Sequence, residues 1–222
     1  VNILRTLRFA AFGAVVSIAG YLTLSATQLA ARTSEPTSTL IIPGQGAGPL
    51  KLGDTRTKVL KLFPFKPDVD QEFPQEPDCG IELNWVDMKN PKYGNVFIRF
   101  RDNTAFQIDV ATNRYRTSQG ITTDSSPQEV RKHYAGLHSY ILSEITNEAL
   151  GGRPLVYWID REHGIAFAFA YAKTERKRYL YEIIVFRPKS EICPADDSIN
   201  SPAKRELTPY SLEPSDMKAD RP

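Results

Sequence analysis

This sequence is poor in the residues that usually carry chemistry. It holds three histidines and two cysteines in 222 residues. No Gly-x-Ser-x-Gly elbow, His-Glu-x-x-His helix or phosphate-cradling glycine loop occurs, which removes the signatures of α/β-hydrolases, zinc hydrolases and P-loop nucleotide binders. Cys-x-x-Cys is missing as well, and with it the mark of a thioredoxin-type centre. An excess of charge is also lacking. The formal net charge is +2; residues 1–31 carry Arg5 and Arg8 with no acid, leaving 26 bases against 26 acids. A neutral body argues against nucleic acid as a partner, because counterion release needs surplus positive charge. At 41% hydrophobic and 24% charged, the chain otherwise has the composition of an ordinary globular protein.

The reactive residues that are present read mostly as structure. His133 and His138 are five apart and would point to different sides of a helix. His163 sits in Asp160-Arg161-Glu162-His163-Gly164, which reads as a hairpin turn; Asp160 and His163 are the least poor candidates should an enzyme of unrecognised type be hidden here. Gly44-Gln45-Gly46-Ala47-Gly48 lacks the lysine of a nucleotide loop, so its glycines are read as turn formers. Asp68, Asp70 and Glu72 lie in a proline-punctuated loop without the tight-turn glycine and distal glutamate of an EF-hand. Lys173, Arg176, Lys177 and Arg178 read as a solvated basic hairpin tip. No catalytic, metal-binding or cofactor-binding residue is assigned.

What the chain does have begins at residue 1. Arg5 and Arg8 precede an uncharged run from Phe9 to Ala26, the pattern of a secretion signal. Residues 1–31 are therefore expected to be a signal peptide or, if the imperfect site at Leu29-Ala30-Ala31 is not cut, a membrane anchor touching lipid through residues 9–26. Either outcome places the body outside the cytoplasm, in the periplasm or secreted. Cys79 and Cys193 suit an oxidising compartment; they either bridge or remain two buried thiols.

Two stretches echo one another. Gly48 to Val59, ending in Phe63, is echoed 71 residues on by Gly120 to Val130, ending in Tyr134, with Val130 matching Val59 and Tyr134 matching Phe63. In the first, Asp54 or Thr55 caps a helix over Arg56 to Phe63, which points Val59, Leu60, Leu62 and Phe63 inward, and Pro64 stops it. In the second, Ser126 caps, Pro127 takes the first helical position and Glu129 completes a capping box. Gly136 ends or kinks that helix, with a second helical segment expected through Leu142. Period-two patterns follow each copy: Ile81/Leu83/Trp85, Val96/Ile98/Phe100 and Phe106/Ile108/Val110, then Leu155/Tyr157/Ile159, Ile165/Phe167/Phe169/Tyr171 and Tyr179/Tyr181/Ile183/Val185. Ala166, Ala168, Ala170 and Ala172 line the other face of the middle strand, which is expected to be central with a helix over one side.

These patterns predict an α+β fold made of a tandem duplicated unit, each copy a short helix or helical pair on a small antiparallel sheet, after an N-terminal signal or anchor helix. The expected divisions are a linker at 32–38, a first unit at 39–115, a second at 116–193 and a disordered tail at 194–222. Leu52-Gly53-Asp54-Thr55, followed by Val59 and Phe63, resembles the opening motif of outer-membrane assembly lipoproteins of the BamE type and of the tandem β-lactamase-inhibitor-protein fold. The whole core is similar to uncharacterised exported bacterial proteins with two such halves. Phe63-Pro64 and Asp124 depart from that motif, and no lipobox follows the apolar run. The resemblance implies non-catalytic work through contact with an envelope protein or other envelope component. The alternative is a small-ligand or lipid carrier using a cleft between the halves.

Overall fold

A computed structural model describes residues 39–63, 65–72, 79–85, 95–142, 154–172, 177–194 and 207–209. The chain divides into two compact units, Val1–Thr37 and Ser38–Pro222. The first, with the expected signal or anchor, lies outside the described residues, as do the whole linker at 32–38 and most of the tail. No helix among the described residues is long and apolar enough to cross a membrane.

In chain order the elements are β1 (Leu40–Ile42), β2 (Gly46–Ala47), β3 (Leu50–Lys51), α1 (Arg56–Leu62), β4 (Val69–Glu72), β5 (Ile81–Trp85), β6 (Val96–Arg101), β7 (Thr104–Val110), β8 (Arg116–Thr117), α2 (Pro127–His133), β9 (His138–Leu142), β10 (Val156–Asp160), β11 (Ile165–Ala172), β12 (Lys177–Phe186) and β13 (Leu207–Pro209). The chain is mostly β. This corrects the expected α+β tandem unit of helix-on-sheet copies. The two described helices have seven residues each. The strands join into one continuous sheet of nine, ordered β13-β9-β10-β11-β12-β7-β6-β5-β4, and a second of four, ordered β3-β2-β1-β8. Two antiparallel meanders, β4–β7 and β9–β12, fuse where Ile183–Phe186 of β12 pair with Gln107–Val110 of β7. The sequence signal for each helix is real but short, and strand pairing outweighs it.

One face of the large sheet carries the main core. Trp85, Ile98, Phe100, Ile108, Trp158, Phe167, Phe169 and Ile183 pack there with Ile41 and Leu50 of the small sheet and with Val59 and Val130 of the helices. Thr55, not Asp54, caps α1 by accepting from the Lys58 N–H at 3.3 Å; Asp54 instead pairs with Lys58 Nζ at 2.6 Å. Phe63 stacks on Trp85 with centroids 3.9 Å apart. At α2 the capping box of Ser126 and Glu129 forms as the residues predict, and Tyr134 tilts against Phe167 at 4.8 Å. The helical segment expected through Leu142 is strand β9 instead. Ser139-Tyr140-Ile141 holds β-favouring side chains, and β10 offers a partner along its length. Part of the tail is likewise ordered, since Leu207–Pro209 pairs with β9.

Two β-bulges break the expected alternation. Arg99 pairs with Gln107 and Phe100 with Ala105, which leaves Phe106 as an extra residue. Ala168 pairs with Glu182 and Phe169 with Leu180, which leaves Tyr181 extra. An extra residue sends everything beyond it to the opposite face. Ala105 and Leu180 thus enter the main core, Phe106 turns toward Cys79 and Cys193, and Tyr179 is left exposed. On β10, too, Val156 and Trp158 face the main core, while Tyr157 and Ile159 lie in a second cluster with Ala166, Ala168 and Ala170.

The turn after β10 needs glycine. Gly164 has φ +72°, and a Cβ there would lie 2.2 Å from the Phe186 carbonyl oxygen and 3.0 Å from Gly44 Cα. Gly164→Ala is expected to cost roughly 1–3 kcal/mol, the range for strained backbone. Urea denaturation would show this as a lower midpoint at unchanged slope.

Candidate functional site

The opposite face of the large sheet, away from the helices, holds an unusual row of polar residues. Strand alternation puts Glu82 of β5, Arg99 of β6, Gln107 and Asp109 of β7 and Glu182 of β12 on this face. On a one-sided antiparallel sheet such positions meet water, yet all five are buried. The C-terminal strap, residues 187–194, contributes to their cover. Cys193 is bonded to Cys79. Its backbone makes a two-point contact with one side chain: Gln107 Nε2 donates to the Cys193 carbonyl at 2.7 Å, and the Cys193 N–H donates to Gln107 Oε1 at 2.8 Å. Arg99 Nη2 donates to the Pro194 carbonyl at 3.4 Å.

Arg99 is the hub of the row. Its Nη2 lies 2.8 Å from Glu82 Oε2 and its Nε 3.8 Å from Asp109 Oδ2. Gln107 Nε2 also donates to Asp109 Oδ2, at 3.0 Å. Asp109 Oδ1 has no hydrogen-bond partner among the described residues. Burial pushes the Asp109 carboxyl up from 3.8 to about 7; Arg99 and Gln107 oppose the rise, and the Glu82 charge adds to it. A buried acid is thus poised to change charge near neutrality, beneath a strap held by a covalent bond.

Where the strap leaves the sheet, a groove of about 440 Å³ opens beside the β6–β7 hairpin, lined by Arg101, Asp102, Thr104, Phe106, Arg187, Ser190 and Glu191. Its walls are rigid for identifiable reasons. Asp102 and Asn103 both take positive φ, 49° and 61°, as a two-residue hairpin turn of the type that matches strand twist requires. Phe106, the bulge residue, packs on the disulfide, and the Arg101 guanidinium lies 4.5 Å above its ring. On the strap side Glu191 is held by Arg161 at 2.8 Å.

The residues weighed from sequence alone do not assemble into a site. His133 ends α2 and His138 begins β9, and both are exposed. His163 is exposed in its turn, with Nδ1 2.7 Å from Asp160 Oδ2 and its N–H donated to Asp160 Oδ1 at 3.0 Å. Asp70 belongs to β4 and pairs with Arg56. Arg178 is not part of a solvated tip: it is buried and donates to the Pro154 carbonyl at 3.0 Å. No cluster of three or more His, Cys, Asp or Glu suited to a metal occurs among the described residues. Sequence reasoning missed Arg99, Asp109, Arg101 and Arg187. One signal pointed to them: Cys79 just before β5 and Cys193 just after β12 can meet only if the chain turns back over the sheet. Compared with models of known protein families, with curated proteins and with solved structures, the chain matches nothing.

Proposed function

We propose that this protein is a non-catalytic binding module acting outside the cytoplasm, and that it takes an acidic group of an envelope protein into the groove at Arg101 and Arg187. The observation that carries this reading is the groove itself, a preformed concavity braced by a hairpin turn and a disulfide-held strap. Preorganised walls lower the ordering cost of binding. The groove's hydroxyls are already engaged with local backbone, since Ser190 Oγ donates to the Arg187 carbonyl at 2.6 Å and Thr104 Oγ1 to the Asp102 carbonyl at 3.3 Å. Its two arginines are the side chains best suited to fork-like recognition of a carboxylate. The Cys79–Cys193 bond supports an oxidising address, as does the basic-then-apolar pattern of residues 1–26.

Arg187→Glu is expected to abolish the crosslinking of at least one envelope protein that wild type captures. Lys51→Glu, on the small sheet, is expected to leave capture unchanged. Equal capture by both variants and wild type would remove the groove from the interface. A second reading, a small-ligand carrier, draws on the groove's volume, which lies in the range of ligand pockets. Under that reading native mass spectrometry of the purified protein shows a bound small molecule that Arg187→Glu releases.

A further inference from the structure

The charges that line the groove beside the β6–β7 hairpin are balanced in sign but not in use. Arg101 and Arg187 face it together with Asp102 and Glu191. Their sum is near zero, so a bare acid gains little from the field at the groove's mouth. Two of the four are engaged locally. The Arg101 guanidinium rests 4.5 Å above the Phe106 ring, and Glu191 is held by Arg161 at 2.8 Å. Arg187 and Asp102 are the other two. Both are exposed, and among the described residues neither side chain makes a hydrogen bond or an ion pair, with each other or with any neighbour. The fold holds them apart. Phe186 stands opposite Gln107, so Arg187 leaves the sheet at the level of the bulge residue Phe106. Asp102 sits in the turn closed by the pairing of Arg101 with Thr104. Two strand residues separate those levels, roughly 7 Å at the ordinary rise of a strand.

We infer that the groove reads a dipolar stretch of its protein partner: an extended segment whose acid meets Arg187 and whose base, two residues away on the same side, meets Asp102. The inference rests on the groove reading and adds to it what the partner must carry. Side chains at alternate positions of an extended chain share a face, and their spacing matches the separation of the two protein charges. A matched second charge contributes specificity more than affinity. A segment with the acid alone leaves Asp102 facing a like charge, whereas an acid with its base satisfies both groups. Asp102 also has a structural use, since φ there is 49° and aspartate tolerates that conformation. Asparagine tolerates it equally well. Asp102→Asn therefore removes the charge and keeps the turn.

The test uses the full-length chain at low salt, where exposed pairs are least screened, and two fluorescein-labelled synthetic peptides read by anisotropy. The first is Gly-Lys-Ser-Glu-Ser-Lys-Gly, with a base on either side of the acid so that chain direction does not matter. The second has Gln in place of both Lys. Wild type is expected to bind the first about three- to fivefold more tightly, the yield of one exposed ion pair. Asp102→Asn is expected to bind the two alike, because attraction for the base and repulsion of the lone acid vanish together. Arg187→Gln is expected to weaken both. Equal binding of the two peptides by wild type, or a preference that survives in Asp102→Asn, would overturn the proposal; the groove reading would still stand if Arg187→Gln weakened both. Binding of neither peptide at millimolar concentration would overturn the proposal and the groove reading together. Full displacement of the first peptide by equimolar free lysine, which carries both charges in one small molecule, would also overturn it and assign the groove to a small ligand.

Discussion

Replacing Cys79 and Cys193 together by serine is expected to lower the unfolding free energy by about 5 kcal/mol, the chain-entropy value for so long a loop. The bond joins residues separated by 114 positions, so its loss releases most of the body to expand when unfolded. Natural domains are stable by only about 5–15 kcal/mol, so the loss is a large fraction of the whole. The native state should survive it at low temperature, because Gln107 still grips the Cys193 backbone and Ile192 stays packed. In urea the double variant should show an earlier midpoint, and adding dithiothreitol should move wild type to the same midpoint without moving the variant. A shift below about 1 kcal/mol would mean that the strap is held by its hydrogen bonds and packing alone.

The second large effect is a pH dependence centred on Asp109. Its folded pKa of about 7 stands above the ordinary value of 3.8. Between those values the folded protein holds a proton that the unfolded chain has given up. Stability therefore falls as pH rises through this window and levels off above the folded pKa. One pKa unit is worth about 1.4 kcal/mol, so the fall from this group is roughly 4 kcal/mol. Asp109→Asn keeps the neutral form at every pH and still offers an acceptor to Gln107. The variant is expected to match wild type near pH 4 and exceed it in stability at pH 8. Subtracting one stability curve from the other removes the other titrating groups; a flat difference would show that Arg99 holds Asp109 charged throughout.

How far the sequence reached can be judged residue by residue. Helix starts were legible because capping is local: Ser126 and Glu129 carry their own geometry. Strand existence was legible as well, since Ile81/Leu83/Trp85 and Val96/Ile98/Phe100 alternate without interruption. The overall class was misjudged for a physical reason. A helical pattern says nothing about how many strands will compete for the same core, and β7 and β12 join through pairings that no local period records. The bulges at Phe106 and Tyr181 were invisible, because their aromatic side chains fit the alternation that they break. The polar row gives no local sign of burial, because Glu82, Arg99 and Asp109 occupy the alternate places where solvent-facing residues belong. The strap helps to make them interior, and its path is set by a disulfide whose partners spacing alone left open.

The fusion of the two meanders bears on how the protein must be made. Until β12 has been delivered, β7 ends the first meander with a bare row of donors and acceptors, and it lies far upstream of the strand that will shield it. A half-emerged chain is therefore sticky along that border. Transport that keeps the polypeptide extended until its last strand arrives, or a holdase that shelters the waiting border, is the circumstance in which such an arrangement matures without clumping.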